Sequence, residues 1–181
     1  LAEVVPSPMQ WPDFILGVVQ QFLRRGLQLS GFNMVFGGDV PMGAGMSSSA
    51  ALECAVAYAL NETFSLGLDK LTMVKLAQAA ENQFVGVNCG IMDQFINIFG
   101  KEGNVLQIDC RTLDYKYFPF VFNDISVVLF DTKVSHSLAS SEYNQRRKEC
   151  GDGVAVINKD YPGVESLRDV TIEMLNSFKD Q

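Results

Sequence analysis

Residues 38–50, Gly38-Asp39-Val40-Pro41-Met42-Gly43-Ala44-Gly45-Met46-Ser47-Ser48-Ser49-Ala50, constrain this chain more than any other stretch. Proline and closely spaced glycines rule out regular structure there, whereas residues 50–60 (Ala-Ala-Leu-Glu-Cys-Ala-Val-Ala-Tyr-Ala-Leu) are strong helix formers. A helix therefore starts at the three serines, a residue type favoured as a cap. Glycines allow close approach of the backbone to an oxyanion, and the first helical turn offers unpaired N–H groups and the positive end of its dipole. The segment reads as an anion cradle in which a serine hydroxyl can reach a magnesium ion on the same phosphates. A Walker loop needs Gly-Lys before Ser or Thr, and a dinucleotide loop needs Gly-x-Gly-x-x-Gly; neither is present. The Gly-x-Ser-x-Gly turn of serine hydrolases is absent as well. The plainer alternative is a glycine turn with an ordinary serine cap.

Around this segment the apolar pattern predicts alternating helices and strands. Phe14, Ile15, Val18, Val19, Phe22 and Leu23 recur at helical spacing and end near Gly26. Residues 29–36 alternate through Phe32, Met34 and Phe36 and read as a strand. Asp69 caps a further helix whose stripe is Leu71, Val74, Ala77, Ala80 and Phe84, with Glu81 near its end. Residues 95–99, 105–108, 115–120 and 126–130 read as strands, the first two joined across residues 100–103 as a meander. A helix opens at Ser140 or Ser141, and a short one follows Asp169. A change of domain fits best between residues 109 and 126.

Composition narrows the class. The 181 residues carry a net charge of −7 with 48% hydrophobic residues, enough for an ordinary core and unfavourable for nonspecific nucleic-acid binding. No apolar run approaches the roughly 20 residues that cross a bilayer, so no membrane role is expected. Cys54, Cys89, Cys110 and Cys150 are widely spaced and accompany a single histidine, His136, which argues for reduced thiols in a cytosolic protein and against zinc. All four cysteines read as buried small apolar residues. The chain opens at Leu1 without an initiator Met or a secretion signal, as an internal fragment would.

Two further segments carry chemistry. In residues 81–94, Glu81 precedes Asp93 by twelve positions, and Asp93 stands among glycine and uncharged neighbours, which suits a base, an electrostatic stabiliser or a metal ligand. The bland reading makes Asp93 a turn residue and Glu81 a solvated one. Residues 132–147, from Thr132 through His136 and Tyr143 to Arg147, are dense in hydrogen-bonding groups, as a loop that meets a polar sugar would be. For His136 a structural hydrogen bond is the simpler role, and for Tyr143 half-buried packing.

Taken in order, these segments resemble the galactokinases of the GHMP kinase superfamily over nearly the whole chain. Pro41-Met42-Gly43-Ala44-Gly45-Met46-Ser47-Ser48-Ser49-Ala50 resembles the superfamily's phosphate loop, with Met46 where Leu is usual, a near-isosteric change. Cys89-Gly90-Ile91-Met92-Asp93-Gln94 and His136-Ser137-Leu138-Ala139-Ser140-Ser141-Glu142-Tyr143 resemble galactokinase segments. Asn88, where the family has Pro, and Asp131-Thr132-Lys133, where it is Asn-rich, depart from the pattern. The resemblance implies an α+β, two-domain architecture: part of an N-terminal domain of ribosomal S5 domain 2-like type over residues 1–115, and the start of a ferredoxin-like domain over 116–181.

By the same resemblance, the activity is ATP-dependent phosphorylation of the anomeric hydroxyl of galactose. Asp93 is then the catalytic aspartate, as base or as stabiliser; Gly90, Asp93 and Tyr143 contact the sugar. Gly43, Ala44, Gly45, Met46, Ser47, Ser48 and Ser49 hold ATP, and Ser49 with Glu81 holds Mg2+. A cytoplasmic protein, monomeric at full length, is implied. Another GHMP sugar kinase, such as one for N-acetylgalactosamine, and a galactokinase-like sugar sensor stay open. The family's N-terminal motif, with its Arg and its Glu-His-Thr-Asp run, and its glycine-rich third motif do not occur here, so these residues alone are expected to be inactive.

Overall fold

Helix α1 (Asp13–Arg24) forms where the apolar spacing predicts it, burying Phe14, Val18, Val19 and Phe22 along one face. The computed structural model describes residues 3–122, 124–130 and 142–179. In it α1 is followed by α2 (Ser48–Thr63), α3 (Lys70–Ala80), a π-helical turn (Glu81–Val85) and α4 (Met92–Phe99). Strands β1 (Asn104–Ile108) and β2 (Tyr115–Pro119) pair antiparallel, from Asn104 opposite Pro119 to Ile108 opposite Tyr115. Then come α5 (Glu142–Asp160), a 3-10 turn (Leu167–Asp169) and α6 (Ile172–Asn176). The fold is α+β, in two compact units, Leu1–Ala139 and Ser140–Gln181.

The core of the first unit joins Val18, Val19 and Phe22 of α1 to Val56, Ala57 and Leu60 of α2 and Met73, Leu76 and Ala80 of α3. The α3 start is capped as expected: the Asp69 side chain accepts from the Thr72 N–H at 2.9 Å and from its hydroxyl at 2.6 Å. Helix α1 approaches the end of α3 closely at Gly17. A Cβ there would stand 3.1 Å from the Phe84 Cβ and 3.2 Å from the Ala80 Cβ and carbonyl oxygen.

Residues 95–99, expected as a strand, form the end of α4 instead. Phe95 and Phe99 are buried and stack at 4.3 Å, while Asn97 is exposed. A strand would put all three on one face, so the burial follows helical spacing, not alternation. The meander is replaced by a helix–turn–strand passage through Gly100, where a Cβ would meet the Ile96 carbonyl oxygen at 2.6 Å. The hairpin then docks on α4: the Tyr115 ring lies 5.0 Å from that of Phe99, and the Tyr117 hydroxyl donates to the Phe99 carbonyl.

Two other expected strands, residues 29–36 and 126–130, have no ladder partner among the described residues. Leu29, Phe32 and Met34 still pack on the core while Val35 is wholly exposed, so the apolar alternation of 29–36 is used without a sheet. A strand exists only through a neighbour, which a local pattern does not supply. In the second unit, the Thr171 hydroxyl caps α6 by accepting from the Met174 N–H at 3.3 Å, and Ile157 and Val164 are buried. The expected helix start at Ser140 or Ser141 and the loop containing His136 lie outside the described residues.

Because the α1–α3 crossing has no slack at Gly17, Gly17→Val is expected to destabilise the protein by ~1–3 kcal/mol through overpacking. Denaturant unfolding checks this, and an unchanged midpoint would contradict the close packing.

Candidate active site

Local backbone conformation shapes the cradle at the start of α2. Gly43, Gly45 and Ser47 have φ of 71°, 73° and 53°, and the intervening Ala44 and Met46 are not left-handed. Alternation of hand along successive residues turns neighbouring N–H groups toward one side, the arrangement of an anion-binding nest. Ideal Cβ atoms at Gly43 and Gly45 meet nothing within 4 Å, so these glycines serve conformation, not close packing. Ser47 occupies the cap position, yet its side chain makes no capping hydrogen bond, contrary to the ordinary serine cap. The first helical bond runs from the Ala51 N–H to the Ser47 carbonyl, so the N–H groups of Ser48, Ser49 and Ala50 precede the intrahelical ladder and face the cradle side.

The first half of α2, the end of α3 and the start of α4 pack together, joined through Glu53, Glu81 and Gln94. The short connection between α2 and α3 turns the chain back, which brings the end of α3 to the start of α2. There the Gly86 N–H bonds to the Glu81 carbonyl at 2.9 Å, closing the π-helical turn, a feature frequent at functional sites. The turn is tied to α1, since the Gln83 amide oxygen accepts from Gln21 at 3.3 Å and Arg24 at 3.0 Å. The loop to α4 is held by Cys89, whose carbonyl accepts from Gln78 at 3.2 Å and Asn82 at 3.4 Å. Gly90 is exposed on that loop, and Asp93 is half-buried in the first turn of α4, at the positive end of the helix.

Glu81 is 4% exposed, so it is not the solvated helix residue of the bland reading. Its Oε2 accepts from the Gln94 Nε2 at 2.7 Å, and the same nitrogen reaches Glu53 Oε2 at 3.2 Å. The Cys89 thiol adds a contact to Glu81 at 3.4 Å, and the Cys54 thiol donates to the Gln94 carbonyl at 3.5 Å. Burial, followed by the Glu81 carboxylate, pushes the Glu53 carboxyl from 4.5 to about 10, so Glu53 keeps its proton at neutral pH. Burial pushes the Cys54 thiol up to about 12, and burial followed by Glu81 raises Cys89 further, so neither forms a thiolate readily. All four cysteines are free, but Cys110 and Cys150 are exposed, not buried as expected.

Glu53 and Gln94 were not singled out by sequence reading. The signal was a lone carboxylate in the otherwise uncharged run 47–60, placed on the inward face. Glu53 Oε1 and Gln94 Oε1 are both buried without a hydrogen-bond partner. A protonated Glu53 donates its hydrogen to Glu81, one of the causes that raise its proton affinity. The phosphate loop, Glu81, Gly90 and Asp93 thus share the first unit. Tyr143, half-exposed near the start of α5, belongs to the second.

Residues 13–101 match the family model described as the GHMP kinases N terminal domain. Galactokinase of Thermotoga neapolitana is 46% identical over 178 residues, covering 98% of this chain and 49% of that protein. Galactokinase of Roseiflexus sp. (strain RS-1) is 45% identical over 173 residues, covering 96% and 44%. The crystal structure of Lactococcus lactis galactokinase complexed with galactose matches with a TM-score of 0.84 at 30% identity, over 99% of this chain and 47% of that one. The chain spans about half the length of the curated relatives it matches. No helix among the described residues is long and apolar enough to cross a membrane.

Glu53 holds its proton more tightly folded than unfolded. Its contribution is therefore complete below about 4.5 and erodes as pH rises toward about 10. Glu53→Gln removes that erosion. In metal-free protein the variant's stability relative to the parent is expected to improve between about pH 5 and pH 8, by at most ~1.4 kcal/mol per pH unit. Thermal unfolding across that range checks it; a gap independent of pH would contradict the protonated state.

Proposed function

We propose that this chain, whose residues 13–101 match the GHMP kinases N terminal domain, forms the phosphate-binding part and much of the sugar-binding part of a galactokinase. The whole protein transfers the terminal phosphoryl group of ATP to the anomeric C1 hydroxyl of α-D-galactose, giving galactose 1-phosphate and ADP. The observation that carries this reading is the alternating-hand loop that leads into α2, together with the Gln94 amide of α4 that ties Glu53 of α2 to buried Glu81. Relatives named galactokinase support the sugar, as does the galactose complex of the Lactococcus lactis protein. The same reading carries a cytoplasmic setting and a monomeric whole protein. Residues 1–115 are then part of the N-terminal domain and 116–181 the start of the second.

Phosphoryl transfer depends on in-line alignment and charge neutralisation more than on covalent help. Residues 43–49 cradle the ATP phosphates through backbone N–H groups. Asp93 faces the C1 hydroxyl and holds it in line or takes its proton, while Gly90 contacts the sugar; for Tyr143 the sugar role is the one its segment's resemblance to galactokinases implies. The Ser49 hydroxyl and the Glu81 carboxylate are hard oxygen donors of the kind Mg2+ prefers. Support for pairing them is indirect: Ser49 lies one turn before Glu53 on α2, and Glu53 shares the Gln94 amide with Glu81. Bound there, Mg2+ supplies positive charge to the phosphates.

In the full-length protein, Asp93→Asn is expected to leave galactose binding nearly intact and to lower turnover by ~10²-fold or more. Calorimetric sugar titration with a steady-state assay checks both halves, and near-normal turnover would sink the assignment. The parent is expected to form galactose 1-phosphate from ATP and galactose in preference to the corresponding product of N-acetylgalactosamine. The reverse preference, read by product analysis, would overturn the choice of sugar.

A further inference from the structure

We propose that Glu53 is a positioning residue for this reaction, acting through the Gln94 side-chain amide to hold the Glu81 carboxylate in place beside the phosphate loop. The inference rests on the kinase reading of the site. Its basis is the geometry of one buried nitrogen. Gln94 and Glu53 are both fully buried, and Gln94 Nε2 donates to Glu53 Oε2 at 3.2 Å and to Glu81 Oε2 at 2.7 Å. An amide nitrogen has two hydrogens, and here they point to carboxyl groups from two different helices.

Removing the Glu53 oxygen would free one of those hydrogens and let the amide turn about its last side-chain torsion, which is broad. The hydrogen bond that fixes Glu81 would lose its direction. Among the described residues the other contacts to the Glu81 carboxylate are the weaker Cys89 thiol at 3.4 Å and the Glu53 carboxyl itself, and removing Glu53 removes the second as well. Glu53 stands in an uncharged stretch of α2, where an apolar residue would pack at less cost, so its oxygen answers a specific need. A residue that only cemented the three helices would affect unfolding. A positioning residue also affects how well Glu81 meets a cation, a cost of ~10–100-fold when such outer partners of a ligand are removed.

The test uses the full-length protein with a non-hydrolysable ATP analogue and Mn2+ as the probe, bound metal being read by electron paramagnetic resonance. Glu53→Leu is expected to weaken nucleotide-dependent Mn2+ binding ~10-fold. Glu53→Gln, which keeps the oxygen for Gln94, is expected to restore it to within about 2-fold of the parent. Gln94→Asn, polar but too short to span both carboxyls, serves where Glu53→Leu does not fold and is expected to match its defect. Parent-like Mn2+ binding in both Glu53→Leu and Gln94→Asn would overturn the proposal in favour of a purely structural role. A defect in Glu53→Gln as large as in Glu53→Leu would overturn it in favour of Glu53 as a charged ligand. Absence of nucleotide-dependent Mn2+ binding in the parent would sink the kinase reading, and the proposal with it.

Discussion

The side-chain amide of Gln94, set between the carboxyl groups of Glu53 and Glu81, is the interaction on which the first unit's functional end depends. It joins α2, α3 and α4 at a single nitrogen, with bonds of 3.2 and 2.7 Å. Two carboxyl groups buried side by side cannot both stay ionised at low cost, because each raises the other's proton affinity and burial raises it further. The conflict is resolved by holding the proton on Glu53. Polar groups here are a matter of geometry first and charge second.

The glycine-serine loop obeys a different economy. Its glycines have open space around them, and what they supply is left-handed backbone at positions 43 and 45, repeated by Ser47. Such a conformation costs a non-glycine residue strain, which Ser47 accepts in exchange for N–H groups turned toward one side. Because the Ser47 hydroxyl does not cap α2, the orphan N–H groups of the first turn stay available to an anionic ligand. Helices joined by a buried polar tie, and an exposed loop whose first-turn donors are not capped, are the two features on which the proposed nucleotide site rests.

How much was legible differed from residue to residue. The cap at Asp69, the stripe of α1 and the two runs that form β1 and β2 followed from local chemistry and were found where the pattern put them, whereas the pairing expected between residues 95–99 and 105–108 is made instead between β1 and β2. Residues 95–99 were misread because Phe-Ile-Asn-Ile-Phe fits alternation as well as a short helix, and five residues are too few to separate the periods. The stack of Phe95 on Phe99 and the docking of Tyr115 decide for the helix. Glu53 was passed over because burial of a lone carboxylate is improbable without knowledge of its partner 41 residues away.

The sequence by itself determined the loop at residues 43–49 and the helix that follows it, since proline, glycine and helix propensity act on the backbone locally. It also marked Glu81, Gly90 and Asp93 through their resemblance to galactokinase segments. Tertiary structure alone decided that Glu81 is buried, that Glu53 and Gln94 are bonded together with it, and that residues 29–36 have no ladder partner among the described residues. The physical reason is the same in each case: burial, proton affinity and strand pairing are properties of neighbours distant in the chain, and become fixed only when the helices that carry them pack together.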